Sequence, residues 1–346
     1  MKGAVFYAPL DVRLEDVEEP SAAAGEVKLR IRNTSTCGTD VKIYKNGHQN
    51  MDPPQVMGHE IAGEIVEIGD GVSGWEVGDR VQVIAAVPCG KCEECTRGRM
   101  TVCPNQTSMG YQYAGGFAEF MVVPSLVLEV DGLNRIPDNL SFAEASVAEP
   151  LACVLNGQEL AKVGEGDDVI VVGSGPIGCL HVRLARSRGA RRVFLADLNQ
   201  TRLDQAADLV KPDATICSGE VDIVQAVLDL TDGRGIDVAI TAAAAGATQE
   251  QALQYTARQG RISFFGGLPK DNSVIACDSN LVHYRELTIV GANGSSPAHN
   301  KAALELISSG AVPVADLITH RLGLDDVLEA LRIVSEGSAI KVTIEP

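Results

Sequence analysis

The chain has 346 residues, more than one hydrophobic core usually serves, so two domains are expected. It carries 29 Lys and Arg against 46 Asp and Glu, a formal net charge of −17, which argues against nucleic acid and anionic membrane surfaces as partners. The N-terminus lacks a secretory core and no apolar run reaches spanning length. Four of the nine cysteines crowd into residues 89–103, which points to metal binding in the cytoplasm and not to a disulfide framework.

In chain order, residues 1–36 read as strands, with apolar and basic residues alternating through Val27-Lys28-Leu29-Arg30-Ile31-Arg32. Cys37-Gly38-Thr39-Asp40 breaks the pattern and opens a short helix expected to reach Tyr44. A strand is expected from His59 to Ile68, with a partner near Gly78–Val83. Residues 88–116 have little periodicity and need a staple to hold one shape. Ser141-Phe142-Ala143-Glu144 reads as a capping box opening helical sequence to about Lys162. Strands at 168–172, 192–196, 214–216, 236–240, 261–265 and 287–290 then alternate with helical patterns, which means a doubly wound parallel sheet. Ser296-Pro297 starts another helix, an amphipathic segment from Leu324 is closed by Gly337, and a last alternating strand runs from Ala339 to Ile344. This tail is expected to rejoin the first domain.

Three sets of residues carry chemistry. Val169–Val172 ends at Gly173-Ser174-Gly175-Pro176-Ile177-Gly178, a G-x-G-x-x-G turn that lets backbone approach a pyrophosphate. Asp197 ends the next strand nineteen residues after Gly178, about where the dinucleotide fingerprint wants a carboxylate for the adenosine ribose. That carboxylate favours NAD over NADP, although Arg202, one turn on, is a residue type that can hold a 2′-phosphate. Cys89, Cys92 and Cys95, at x-x spacing, with Cys103 following, suit a closed, structural zinc site. Cys37, His59, Glu60 and Glu149 are dispersed, and each by itself reads as an ordinary core or surface residue. Three protein ligands and an open position would nevertheless suit a Lewis-acid zinc.

The string Gly58-His59-Glu60-Ile61-Ala62-Gly63 with Gly69 resembles the signature of zinc-containing medium-chain alcohol dehydrogenases. So do Cys37-Gly38-Thr39-Asp40, the four-cysteine lobe, Gly78-Asp79-Arg80-Val81 and the glycine turn, all in the family's order. Glu60 after His59 and the Ala148-Glu149-Pro150-Leu151 run are similar to the sorbitol (polyol) dehydrogenase branch, with threonine 3-dehydrogenases and galactitol-phosphate dehydrogenases as close relatives. The resemblance implies a GroES-like β-rich catalytic domain over 1–153 and 296–346, and a Rossmann-type domain over 154–295. It implies two zinc ions per subunit, one structural and one catalytic. The catalytic ion would be held by Cys37 and His59, with Glu60 and Glu149 exchanging with water as the remaining ligands. A substrate hydroxyl would reach that ion, lose its proton through Thr39, and pass a hydride to the nicotinamide. Gly267 and Leu268, with Ala292 and Asn293, would run past the nicotinamide, and Arg202 along the adenosine.

The expected activity is oxidation of a secondary alcohol of a polyol or sugar-like substrate. A threonine-type or sugar-phosphate dehydrogenase is the alternative, and a non-catalytic NAD-binding sensor belongs to a different class. Relatives are usually homodimers or homotetramers. Lys42 departs from the family, in which a relay histidine often follows the threonine by three residues. Either the relay ends in water, or Lys42 meets an anionic substrate group, or it is simply a solvated lysine. Tyr44, Tyr111 and Tyr113 are candidates to line the substrate pocket.

Overall fold

In the computed structural model, which describes residues 1–346, the alternating segment near the N-terminus is the strand Val27–Ser35. Val27, Leu29 and Ile31 are buried and Arg30 and Arg32 exposed, the separation of faces that a period of two demands. Lys28 breaks the alternation by burying its stem and ending on Glu19 at 2.6 Å. This strand sits inside a seven-stranded sheet. Its order is Leu133–Arg135, Arg80–Val83, Glu60–Ile68, Val27–Ser35, Lys341–Glu345 and Ile318–Gly323, and Phe120–Val123 also pairs with Val27–Ser35. Thr343 pairs with Ser35 and Ile344 with Thr34, so the last strand of the chain lies antiparallel to the end of an early one. Residues Met1–Ala152 and Gly294–Pro346 make up this unit.

The other unit is Cys153–Asn293. Its sheet has six strands, ordered Ala214–Cys217, Arg192–Asp197, Asp168–Val172, Ile236–Thr241, Thr256–Phe264 and Thr288–Gly291, all of them parallel. All five residues of Asp168–Val172 are buried, as a central strand covered on both faces requires. The order reverses between Asp168–Val172 and Ile236–Thr241, the switch point at which doubly wound sheets open a ligand crevice.

Two elements differ from the sequence expectation. The capping box at Ser141 forms, with Glu144 N donating to Ser141 Oγ at 3.2 Å, but the helix stops at Ser146 and a new one spans Ala148–Leu160. Pro150 is the cause, because it has no N–H for the Ser146 carbonyl and its ring would collide with that group. The strand expected at 261–265 begins earlier, at Thr256, where a register shift opposite Ile236 admits Gln259 at φ 59°. No helix is long and apolar enough to cross a membrane.

Candidate metal and dinucleotide sites

Cys37 precedes the helix Gly38–Asn46 as its N-cap, and its N–H donates to the Asp40 carboxylate at 2.8 Å. The other Asp40 oxygen lies 3.2 Å from His59 Nδ1, so one buried aspartate ties the helix start to the imidazole. His59 stands just before the strand Glu60–Ile68, after Gly58 at φ 94°. A Cβ on Gly58 would lie 2.9 Å from Phe117, so only glycine allows the chain to enter the strand here.

Ligand atoms of Cys37, His59 and Glu60 all lie within 4.8 Å of one another. Glu149 is buried in the first turn of Ala148–Leu160, outside that 4.8 Å set but close enough that its charge raises the pKa of Glu60. Thr39 is half-buried on the first helical turn, and Lys42 is exposed on the same helix, where it reads as a solvated side chain. Burial disfavours a charged His59, but Asp40 and Cys37 outweigh it and hold the imidazole pKa well above its ordinary value. Burial also drives Glu60 up to about 7, against the opposing charge of Lys341.

Lys341 is a site residue that the sequence did not announce. It comes from the C-terminal strand, is 3% exposed, ion-pairs with Glu60, and donates from Nζ to the Thr36 carbonyl at 2.8 Å. A single lysine at the start of an alternating strand ordinarily points to solvent, so no local signal could have marked it. The donor set fits a metal ion: thiol, imidazole and carboxylate converge, and both Glu60 oxygens lack a well-formed hydrogen bond.

The four clustered cysteines converge as their spacing suggests. Cys92 Sγ lies 3.5 Å from Cys95 Sγ and 3.7 Å from Cys103 Sγ, and all four sulfurs fall within 4.8 Å of one another. These separations are too long for disulfides, and all four cysteines are free. They match the edge of a thiolate tetrahedron, about 3.8 Å for Zn–S bonds of about 2.3 Å. Backbone N–H groups of Lys91 and Cys92 pull the Cys89 thiol down to about 6, while burial pushes Cys95 up to about 12. Only the four-residue helix Glu93–Thr96, a 3-10 turn at Met100–Val102 and two short strands punctuate this lobe.

In the other unit, Gly173 has φ 114°, Gly175 is the N-cap of Pro176–Ser187, and Pro176 takes the first helical position with Ile177 next. A Cβ on Gly178 would fall 1.8 Å from the Gly173 carbonyl oxygen, so the helix can approach the strand this closely only with glycine there. Asp197 Oδ2 accepts from both Ser174 N and Ser174 Oγ at 2.8 Å, and its Oδ1 accepts from Asn199 N at 3.0 Å. Burial would raise the Asp197 pKa, but these hydrogen bonds outweigh it and keep the carboxylate below its usual range.

The Arg202 guanidinium lies over the glycine turn, 3.2 Å from where a Gly175 Cβ would stand. Gly267 and Leu268 follow the end of Thr256–Phe264, and Ala292 and Asn293 follow the end of Thr288–Gly291. Since the strands are parallel, these residues and the glycine turn share the C-terminal edge of the sheet.

Comparison with known proteins places this architecture. The family described as alcohol dehydrogenase GroES-like domain matches residues 23–131, and that described as zinc-binding dehydrogenase matches residues 176–309. The chain is similar to an L-threonine 3-dehydrogenase of Pyrococcus furiosus, 36% identical over 334 residues that cover 95% of this chain and 93% of the relative. It is also similar to a sorbitol dehydrogenase of Halalkalibacterium halodurans, 32% identical over 335 residues that cover 96% and 95%. A solved structure from Sinorhizobium meliloti, described as a zinc-binding dehydrogenase bound to NADP, superposes with a TM-score of 0.92 at 28% identity, covering 100% of this chain and 99% of that one. With a β-rich unit matching the GroES-like domain, a parallel doubly wound sheet and relatives of this identity across nearly its whole length, the chain belongs to the zinc-containing medium-chain alcohol dehydrogenase family.

Proposed function

We propose that this dehydrogenase oxidises a secondary alcohol of a polyol or sugar-like substrate to the ketone, with zinc at Cys37, His59 and the two glutamates and with NAD as hydride acceptor. The observation that carries the reading is the gathering of half-buried Cys37 with buried His59 and Glu60, and with buried Glu149 near enough to act on Glu60. Zinc held there would supply Lewis acidity to the substrate hydroxyl, and NAD on the glycine turn would supply the acceptor for the carbinol hydride.

The chain's own residues do the rest. Asp40 stands 3.2 Å from His59 Nδ1 and orients the ring, so Nε2 would be the nitrogen offered to a metal ion. Lys341 balances Glu60 and lets that carboxylate approach or withdraw. Thr39 takes the hydroxyl proton toward solvent. Glu149 accepts a hydrogen bond from a hydroxyl next to the reacting carbon, which favours polyols over simple alcohols. Asp197, kept ionised, receives the adenosine ribose hydroxyls and repels a 2′-phosphate.

Zinc analysis combined with turnover of polyols, aminopolyols, sugar phosphates and threonine, each with NAD, tests the reading. Polyol oxidation at two zinc ions per chain supports it, and Glu149→Gln with unchanged zinc and unchanged polyol turnover would refute the role of Glu149. A clear preference for NADP would overturn the assignment of Asp197. The second reading, oxidation of a 2-amino-3-hydroxy acid, draws support from the likeness to the threonine 3-dehydrogenase.

A further inference from the structure

Tyr111, one of three tyrosines that the sequence offers for the substrate pocket, stands beside the candidate metal ligands, and the catalytic reading above gives it no role. Its backbone is fixed on the Met57-Gly58-His59 segment by close contacts. A Cβ on Gly110 would lie 2.9 Å from the Gly58 carbonyl oxygen, and one on Gly115 only 2.3 Å from the carbonyl oxygens of Met57 and Gly58. Gln55 Nε2 donates to the Tyr111 carbonyl at 3.1 Å.

The half-buried ring is then wedged between two imidazoles, 6.2 Å from the His59 centroid and 4.8 Å, edge-on, from that of His48. The phenol senses the charges of His59, Asp40, Cys37 and Glu149 together. A phenol keeps its proton throughout the working range, so the hydroxyl is a donor. Tyr44 and Tyr113 make no ring contact with His59. Tyr44 and Tyr111 both pack on the core around Phe6 and Ile43, and Tyr113 on the core around Val27 and Leu29, so the ring contact with His59 is what sets Tyr111 apart.

We propose that Tyr111 is a specificity-determining residue whose hydroxyl donates a hydrogen bond to the hydroxyl oxygen next to the carbinol under oxidation. This rests on the reading of Cys37, His59, Glu60 and Glu149 as the catalytic centre. A vicinal hydroxyl can then accept from Tyr111 while donating to Glu149, which uses both of its hydrogen-bonding capacities at once. A monohydric alcohol has nothing to offer either group and leaves both unpaired.

The test compares wild type with Tyr111→Phe, which keeps the ring and deletes the hydroxyl, as zinc-loaded enzymes saturated with NAD. The probes are butane-2,3-diol and butan-2-ol, which differ by that one hydroxyl. Expected is a fall of about tenfold in kcat/KM for the diol, seen in KM, with butan-2-ol changed less than twofold and zinc content unaltered. Equal losses on both alcohols, or an undiminished diol rate, would overturn the assignment. Where turnover is too slow, the same pair is compared as competitive inhibitors, with the same selective loss expected. If wild type oxidises L-threonine and no polyol, the polyol reading fails by itself. Tyr111 is then judged on butane-2,3-diol against butan-2-ol as competitive inhibitors, because the ammonium of threonine has no lone pair to accept from the phenol.

Discussion

Lys341 and Glu60 are each other's counter-charge in a place almost free of solvent, which makes the pair costly to break from one side. Lys341→Met is expected to lower stability by about 3 kcal/mol, because the carboxylate stays buried without its partner. Adding Glu60→Gln should recover part of that loss, and urea unfolding of both variants checks the coupling.

At the N-terminal end of the central strand Asp168–Val172, the fully buried Asp168 side chain receives Arg191, Arg192 and Arg234 at 2.5, 2.6 and 2.9 Å. Burial would raise its pKa, but hydrogen bonds from Arg192, Arg191 and Arg234 outweigh it and hold the carboxyl well below the usual range. The folded value lies below the unfolded one, so the cluster stabilises fully above about pH 4 and weakens as pH falls toward the folded value. Asp168→Asn should therefore cost about 2 kcal/mol at pH 7 and progressively less below about pH 4. A difference that stays constant into acid would contradict this account.

Among the elements, the cysteine lobe depends most on something other than packing. Its helix is four residues long, and of the four cysteines only Cys95 and Cys103 are buried. Cys95→Ser is expected to drop zinc from two ions per chain to one and to open residues 89–103 to protease, while the set Cys37, His59 and Glu60 keeps the other ion. Elemental analysis and limited proteolysis read the two effects separately. In the other unit, Gly178→Ala sets a methyl group against the Gly173 carbonyl. The helix must shift, and a rise of tenfold or more in the KM for NAD is expected, visible in cofactor titrations.

Elements like these are legible locally. The cysteine spacing, the glycine turn and the cap residues Ser141 and Ser296 act within a few residues of themselves, and both caps accept the hydrogen bonds their positions imply. The break at Val147 was less visible, because Pro150 acts on a carbonyl four residues behind it.

For the whole molecule, the strand Lys341–Glu345 is what closes the sheet of the zinc-ligand unit between Val27–Ser35 and Ile318–Gly323. Deleting residues 339–346 should abolish metal binding at Cys37 and His59. It should leave the six-stranded unit Cys153–Asn293 as the protease-resistant fragment, since every strand of that sheet lies within it. Retention of both zinc ions by the truncated chain would show that the last strand is dispensable.

The sequence by itself determined the parallel sheet, the dinucleotide turn with its carboxylate, and the four-sulfur lobe, because each is written in spacings along one short stretch. Only the tertiary structure decided that Lys341 meets Glu60, that Asp40 stands against His59, and that Tyr111, unlike Tyr44 or Tyr113, makes a ring contact with His59. Periodicity fixes which face of a strand or helix a side chain occupies. Which distant face it meets depends on strand order and register, and those emerge only when the whole sheet is assembled.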